Sequence, residues 1–398
     1  MAFDQVAALL LVSALLLPAP VAAQDDELRR LDAEATKYRG AFDWAREAET
    51  LRKGIALIEA KEGRDAPALV PWLIRLGNSL RAPRDLPEAQ AALERAIRIV
   101  EKTKGPEDRA ILDAVTILAF VYAWQGKPAD AQALYRRAIA IAEKAYGPDS
   151  DRVYSYSVGL GHSYRSARKF AEAEAAYQRA LAIVRTHKPP RFDPWMNKWL
   201  ALNRADQGRY AEAEPLVLEA IEHWQTDKFR GDASTRRGPM QELWSLKCRI
   251  ERGLGRLEAA VHSCEESLRL AESGQLEFLY TALSDAGEVY QQSKRYGDAE
   301  RQYRRALALA ERLAGPDGFD AARMQTGLGR ALAGQRRWPE AEALFQSSFK
   351  IRERLYGAND ADLQPFLEDL ARLYRDSGRD AEARRIDARI RALKPAKR

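Results

Sequence analysis

The sequence predicts an all-α protein built as an α-solenoid, a linear stack of similar helical hairpins. A phrase close to Gly-Arg-Tyr-Ala-Glu-Ala-Glu recurs at about 42-residue intervals, and small and apolar residues repeat at helical spacing within each copy. Runs rich in Val, Ile and Thr, which favour strands, are missing from the sequence. We therefore expect one elongated domain, although 398 residues would otherwise suggest two or three.

The first 23 residues differ in kind from the rest of the chain. Residues 6–17 are apolar apart from Ser13, two prolines follow, and small residues precede a cleavage point after Ala23. An apolar helix of this length spans about 18 Å, less than the ~30 Å of a bilayer core, so a permanent membrane span is not expected. We expect a signal peptide over residues 1–23 and a periplasmic or secreted protein. The first five residues lack Lys and Arg, which leaves an uncleaved peripheral anchor or a misplaced start codon as the alternatives.

The second helix of each unit is predicted from a recurring triple of residues. A small residue is followed four positions later by a larger apolar one and seven positions later by another small one, as in Ala131, Tyr135 and Ala138. Offsets of four and seven lie on one helix face, so this stripe is expected to be buried. The copies centre on Ala89, Ala131, Ala173, Ala213, Ala260, Ala299, Ala341 and Ala383.

The first helix of each unit carries a glycine at a fixed position, as in Leu160, Gly161 and Tyr164. Because glycine inside a helix costs about 1 kcal/mol relative to alanine, its recurrence at one register indicates close helix contact. Between units, Gly-Pro pairs such as the one at Gly147 are expected to end one helix and start the next.

These motifs resemble the tetratricopeptide repeat, in the 42-residue variety found in kinesin light chains and many bacterial proteins. The resemblance rests on Leu-Gly-x-x-Tyr, Gly-x-Tyr-x-Glu-Ala and Gly-Pro-Asp, and we assign the repeats to residues 24–396. It implies a right-handed superhelix of about nine antiparallel helix pairs, whose first helices line a concave groove that binds peptides or partner proteins. A longer loop is expected near 225–240, and residues 397–398 form the basic end of the tail.

Residues eleven positions before each buried alanine, with their neighbours, are expected to face this groove. The set is aromatic in its first half and basic in its second, which favours a peptide with an apolar anchor followed by acidic residues. The alternative is that the tryptophans pack between units and the arginines are solvated. The candidate partner-binding residues are Asn78, Phe120, Trp124, His162, Trp195, Lys198, Trp199, Arg249, Arg252, Arg330 and Arg372.

The two cysteines, Cys248 and Cys264, lie at equal distances from Arg256 in the predicted turn of one hairpin. Equal distance from the turn places them at the same height on facing helices, so an oxidising compartment would allow a disulfide. Two free thiols acting as small core residues are the alternative.

Several classes of function are disfavoured by the composition. The formal net charge is +6, and no basic run is interleaved with aromatic residues, so nucleic acid is not an expected partner. The sequence lacks a Gly-rich phosphate loop and a Gly-x-Ser-x-Gly motif, and its histidines lack metal-ligand spacing. We expect no catalytic residue, cofactor or metal.

The expected function is therefore that of a non-enzymatic scaffold or adaptor for protein–protein interaction. It would bind an extended peptide or a partner protein in the concave groove, in the bacterial periplasm. The alternative is a structural or regulatory subunit that docks by its edges and its basic C terminus onto an envelope complex or an anionic membrane, so that any membrane contact is peripheral.

Overall fold

The described part of the chain folds into helices joined by short connections. The computed structural model describes residues 21–80, 85–186, 194–226, 233–272 and 276–393, in which no strand occurs, as predicted. The helices are α1 Val21–Gly40, α2 Trp44–Glu62, α3 Leu69–Ser79, α4 Leu86–Lys104, α5 Leu112–Trp124, α6 Pro128–Tyr146, α7 Asp151–Ser166, α8 Phe170–Thr186, α9 Pro194–Asp206, α10 Tyr210–Gln225, α11 Ala233–Gly253, α12 Leu257–Ala271, α13 Leu276–Gln292, α14 Tyr296–Ala314, α15 Phe319–Gly334, α16 Trp338–Tyr356, α17 Gln364–Asp376 and α18 Asp380–Arg391. Short 3₁₀ turns at Arg109–Ile111 and Ala361–Leu363 precede α5 and α17.

The chain divides into two units, residues 1–192 and 193–398. In the first unit, α1 to α8 pair in sequence as four hairpins, and α3 also contacts α5. In the second unit, α9 to α18 form five hairpins, and the first helices α9, α11, α13, α15 and α17 contact one another in succession. We call the surface formed by the first helices of a unit its first-helix face.

The predicted stripe of the second helices is buried. Ala131 and Ala138 have no exposed surface, and Tyr135 between them is almost completely covered. The equivalent residues of other copies are buried in the same way: Ala89, Leu93, Ala96, Ala173, Tyr177, Ala180, Ala213, Val217, Ala220, Ala299, Tyr303 and Ala306. The pattern that predicted the helices is therefore also the pattern of the core.

The recurring glycines make room for the aromatic residues of this stripe. Tyr303 lies against Gly287 of its own hairpin and Gly327 of the next one. A methyl group would lie 2.8 Å from the Tyr303 ring at Gly287 and 2.5 Å from it at Gly327, distances that real Cβ atoms do not adopt. Gly161 and Tyr177 repeat the same contact in the first unit. Close backbone approach thus explains glycine inside these helices.

The glycines that were predicted to end helices between hairpins do so. Gly147 and Gly315 follow the last residues of α6 and α14 with φ of +88° and +84°, a conformation that favours glycine. The Gly147 N–H donates to the Glu143 carbonyl at 2.9 Å, which satisfies one of the free acceptors at the helix end.

Part of the stretch near 225–240 that was expected to be a loop is helical. Helix α10 continues to Gln225 and α11 already begins at Ala233, while residues 227–232 lie outside the described residues. Met240 and Leu243 share a buried cluster with Trp224, so packing outweighs the low helix propensity of the Gly and Pro residues in this stretch. The expectation of a loop over residues 233–240 is corrected accordingly.

The structure describes only part of each end of the chain. Residues 1–20 of the expected signal peptide and residues 397–398 of the basic tail lie outside the described residues. Helix α1 begins at Val21, just before the expected cleavage point after Ala23.

The irregular hairpin of α11 and α12 carries a crosslink and a buried polar cluster. Cys248 and Cys264 are joined as a disulfide with their Cα atoms 5.2 Å apart. Next to it, Lys247 pairs with Glu251 and donates to Ser263 Oγ at 3.0 Å, while Ser263 Oγ donates to Glu251 Oε2 at 2.5 Å. Charged residues can replace the apolar ones of other repeats here because they satisfy one another.

The glycine contact yields a first test. Gly327→Ala should lower the free energy of unfolding of the second unit by about 1 to 2 kcal/mol, because the clash with Tyr303 outweighs the gain in helix propensity. Chemical denaturation followed by circular dichroism measures the change. Gly297→Ala in α14 is the matched control, because no atom lies within 4 Å of its Cβ position, so it should be neutral or stabilising. Equal stabilisation by both substitutions would contradict the packing role.

Candidate functional site

The first-helix face of the first unit contains a cavity of about 540 Å³. Its lining residues come from α1, α3, α5 and α7, and one of them is the predicted site residue Asn78. The charged groups around it are paired: Arg75 with Asp32, and Arg152 with Asp113 at 2.8 Å. The structure therefore brings Asn78 to a cavity whose charges are already balanced.

The other predicted residues of the first unit have different environments. Phe120 and Trp124 lie near the C-terminal end of α5, where 51% and 57% of each is exposed. Phe120 also meets the core residue Tyr135 edge to face, with ring centroids 6.3 Å apart. His162 is half-buried, and its Nδ1 lies 2.8 Å from the hydroxyl of Tyr177. His162 thus interacts with the buried aromatic stripe, whereas the two residues of α5 are exposed.

The second unit carries a cavity of about 320 Å³ on its first-helix face, between α9, α11 and α13, which we call the Trp199 cavity. Three of the candidate partner-binding residues, Lys198, Trp199 and Arg249, line it. Leu202, eleven positions before Ala213, was also expected on this face, and the remaining lining residues were not predicted. The lining consists of Lys198, Trp199, Leu202, Gln241, Glu242, Ser245, Leu246, Arg249, Phe278, Thr281 and Asp285.

Lys198 organises the aromatic side of the Trp199 cavity. It is 5% exposed, and its ammonium group lies 4.6 Å from the ring centroid of Trp195 and 4.1 Å from that of Trp199. Lys198 and Trp199 follow Trp195 by three and four residues, so each of them lies on the same helix face as Trp195. The ammonium group is attracted to the faces of both aromatic rings. Glu242 forms an ion pair with Lys198, and Trp195 packs edge to face on Trp224 at 5.8 Å. The cation that contacts Trp199 therefore has its charge balanced by Glu242.

Asp285 of α13 provides a partly buried carboxyl group in the lining of this cavity. Burial raises the pKa of Asp285 to about 6, although the hydrogen bond that Ser245 donates to it acts in the other direction. Sequence reasoning missed Asp285. The equivalent residue in two other copies is glycine, Gly159 or Gly327, so aligning the repeats position by position would have shown the departure.

Three of the four predicted arginines of the second unit, Arg249, Arg252 and Arg330, are paired, which corrects the expectation of a basic groove. Arg330 makes a bidentate ion pair with Asp369, in which Nη2 lies 2.6 Å from Oδ2 and Nε lies 3.0 Å from each oxygen. Two further arginines are paired on this face: Arg249 with Asp206, 3.2 Å apart, and Arg252 with Glu288. The acidic partners come from neighbouring repeats, and one of them, Glu288, lies at an expected groove position eleven residues before Ala299.

Two more cavities adjoin each other further along the first-helix face of the second unit. One of about 330 Å³ is lined by the exposed Arg372 together with Asp369 and Asp376. The other has a volume of about 280 Å³ and includes the buried Arg352, and both cavities share Arg330. A row of cavities therefore follows the first helices of this unit.

The described residues contain no group of three or more His, Cys, Asp or Glu residues placed to hold a metal ion. In the same part of the chain, none of the helices combines the length and apolar character that crossing a membrane requires.

The stacked hairpins match a known repeat family. A family model of the tetratricopeptide repeat matches residues 110–186, 240–312, 278–354 and 320–396, which together exceed half of the chain. The chain belongs to the tetratricopeptide repeat family. The prediction from the recurring motifs is confirmed, and this repeat is generally a non-enzymatic fold for protein interaction.

Solved structures share the fold of this tetratricopeptide repeat protein at low sequence identity. The apo form of RapI is 15% identical with a TM-score of 0.61, over 93% of this chain and 97% of RapI. A tetratricopeptide repeat protein from Parabacteroides merdae is 15% identical with a TM-score of 0.55, over 77% and 99% of the two chains. Kinesin light chain-like repeats from Podospora anserina are 20% identical with a TM-score of 0.44, over 52% and 96%. No curated protein sequence matches the chain.

Asp285 predicts a pH dependence of stability. Its pKa is higher in the folded protein than the value near 4 of an unfolded chain, so the folded state binds the proton more tightly and stability falls as the pH rises from about 4 to 6. The amide introduced by Asp285→Asn resembles the protonated carboxyl. Between about pH 4 and 6, the free energy of unfolding of this variant should therefore rise by about 2 kcal/mol relative to that of the parent.

Urea unfolding of both proteins at several pH values between 4 and 7 measures this difference. Ser245→Ala removes the hydrogen bond to the carboxylate and should move the transition to higher pH. A difference between Asp285→Asn and the parent that is independent of pH would contradict the assignment.

Proposed function

We propose that this tetratricopeptide repeat protein is a periplasmic or secreted adaptor that binds an extended segment of a partner protein on the first-helix face of its second unit. The Trp199 cavity carries the proposal. Its apolar walls are Trp199, Leu202, Leu246 and Phe278, and polar groups lie around them. An apolar pocket with few polar groups suits a large apolar side chain of the partner.

Unmatched polar atoms at this cavity support an extended segment as its ligand. Gln241 is 2% exposed, and its Oε1 accepts no hydrogen bond from the described residues. In the same cavity, Nε of Arg249 donates none within the described part of the chain. A buried polar atom without a partner costs about 1 to 3 kcal/mol. An extended backbone presents both N–H donors and C=O acceptors, so it can satisfy both atoms at once.

Charge pairing changes the expected chemistry of the partner. Lys198 and Arg249 already have the carboxylates of Glu242 and Asp206 as counter-ions. A strongly acidic segment is therefore not required at the Trp199 cavity, and the apolar anchor supplies most of its affinity. The role needs no catalytic group, in agreement with the general use of the fold in protein interaction.

The secreted location is supported by two features of the chain. The first 23 residues have the pattern of a signal peptide, and the disulfide between Cys248 and Cys264 suits an oxidising compartment. We expect the mature protein to begin at Gln24, to occur in the periplasmic or secreted fraction, and to contain no free thiol. Cell fractionation, N-terminal sequencing and thiol alkylation check these points. Retention of Met1 with two free thiols in the cytosolic fraction would contradict the location.

The binding proposal is tested with a displayed library of random peptides and the purified protein. Enriched peptides should share a large apolar residue, and Trp199→Ala should weaken their binding by at least about tenfold, because it removes the main apolar wall. Fluorescence anisotropy with a labelled peptide measures the affinity.

Leu218→Ala is the matched control, because Leu218 is an exposed apolar residue on the second helix α10. Both variants must retain the helical spectrum of the parent. If the library yields no binder, or if binding survives the combined alanine substitution of Trp195 and Trp199, the proposed site is wrong. Docking through the edges and the basic C terminus would then be the better hypothesis.

A further inference from the structure

Arg352 in α16 is a buried arginine without a carboxylate partner. It is 1% exposed and is the largest of the fully buried side chains in the described part of the chain. Its guanidinium carbon lies 3.7 Å from the ring centroid of Phe366. Several other arginines on this face are paired, as Arg330 is with Asp369, but no carboxylate of the described residues lies within 4 Å of the Arg352 nitrogens.

The hydrogen bonds of Arg352 use only one end of its guanidinium group. Nη1 donates to the Ala322 carbonyl at 3.0 Å, to Thr326 Oγ1 at 3.2 Å and to Ser348 Oγ. These three acceptors are neutral. Nε is buried and donates no hydrogen bond within the described residues, and Nη2 makes none with them either. The Nε–Nη2 edge, which forms bidentate pairs with carboxylates and phosphates, is therefore unused.

Arg352 contributes to a cavity of about 280 Å³, which we call the Arg352 cavity. Two further arginines, Arg323 and Arg330, line it. Arg323 donates to Ser284 Oγ at 3.1 Å and forms no ion pair with the described residues. The one carboxylate in the lining, Glu288, is paired with Arg252. The cavity thus has an excess of positive charge.

The electrostatic environment is consistent with a missing counter-ion. Burial lowers the pKa of Arg352 to about 10, and the nearby charges of Arg330 and Arg323 act in the same direction, against Tyr356 and Asp369. Arg352 remains charged at pH 7. A buried charge without a partner is costly, so an apolar residue of similar size would favour stability more.

We propose that the Arg352 cavity binds one anionic group, a carboxylate or a phosphate. Nε and Nη2 of Arg352 hold two oxygens of the anion side by side, and Arg323 supplies a second positive charge. This site shares no lining residue with the Trp199 cavity, so it does not depend on what binds there.

Thermal unfolding in added inorganic phosphate or acetate, against sodium chloride of equal ionic strength, tests the proposal. The midpoint temperature of the parent should rise with phosphate, acetate or both, beyond the effect of chloride, because an anion that binds only the folded state stabilises it. The more effective anion distinguishes a phosphate from a carboxylate ligand. Arg352→Met should abolish this response and should unfold at an equal or higher temperature than the parent when neither anion is present.

Arg354→Met is the matched control on the same helix, because Arg354 is exposed and paired with Asp317 at 3.1 Å. It should keep the full response to the anion. If Arg352→Met does not fold, Arg352→Lys retains the charge without the paired donors and should weaken anion binding by at least about tenfold. Absence of an anion-specific response in the parent, or its retention in both Arg352 variants, would overturn the proposal.

Discussion

Close packing of an aromatic ring between glycines of successive helices is the contact on which the second unit depends. Tyr303 touches Gly287 in its own hairpin and Gly327 in the next, so one side chain fixes the spacing both within and between hairpins. Since packed interiors tolerate little change in volume, the same close contact recurs with the motif, as between Gly161 and Tyr177. The first helices are thereby close enough for their long side chains to reach the neighbouring repeat. These contacts between repeats determine the charge of the first-helix face.

The regular spacing converts charges on separate repeats into pairs. Arg330 reaches Asp369, 39 residues further along the chain, and Lys198 reaches Glu242, 44 residues further along. Ion pairs of this kind contribute little to stability when they are exposed, but they decide the net charge that a ligand meets. The first-helix face is therefore rich in arginine and yet largely neutral. Specificity must come from the places where this pairing fails and from the apolar walls between the pairs.

The sequence predicts the features that each repeat specifies by itself and misses those that need two repeats at once. The triple of Ala131, Tyr135 and Ala138 follows from helical spacing within one helix, so its burial could be predicted directly. The pairing of Arg330 with Asp369 could not, because it depends on the register between hairpins and on the composition of both. Helical structure after residue 233 was missed for a similar reason, since burial of Leu243 against another helix overrides the local preference for a loop.

Departures from the repeat are for this reason more informative about binding than the repeat itself. Gln241 and Arg249 carry unmatched polar atoms at the Trp199 cavity, and Arg352 carries an unused pair of donors at its own cavity. Each unmatched polar atom lowers the stability of the folded protein, whereas an apolar residue at the same position would not. A ligand that satisfies these atoms recovers that free energy on binding, and it does so only if its own groups match their positions. The same stacking that builds a neutral, regular surface therefore leaves a small number of polar groups whose satisfaction requires a partner.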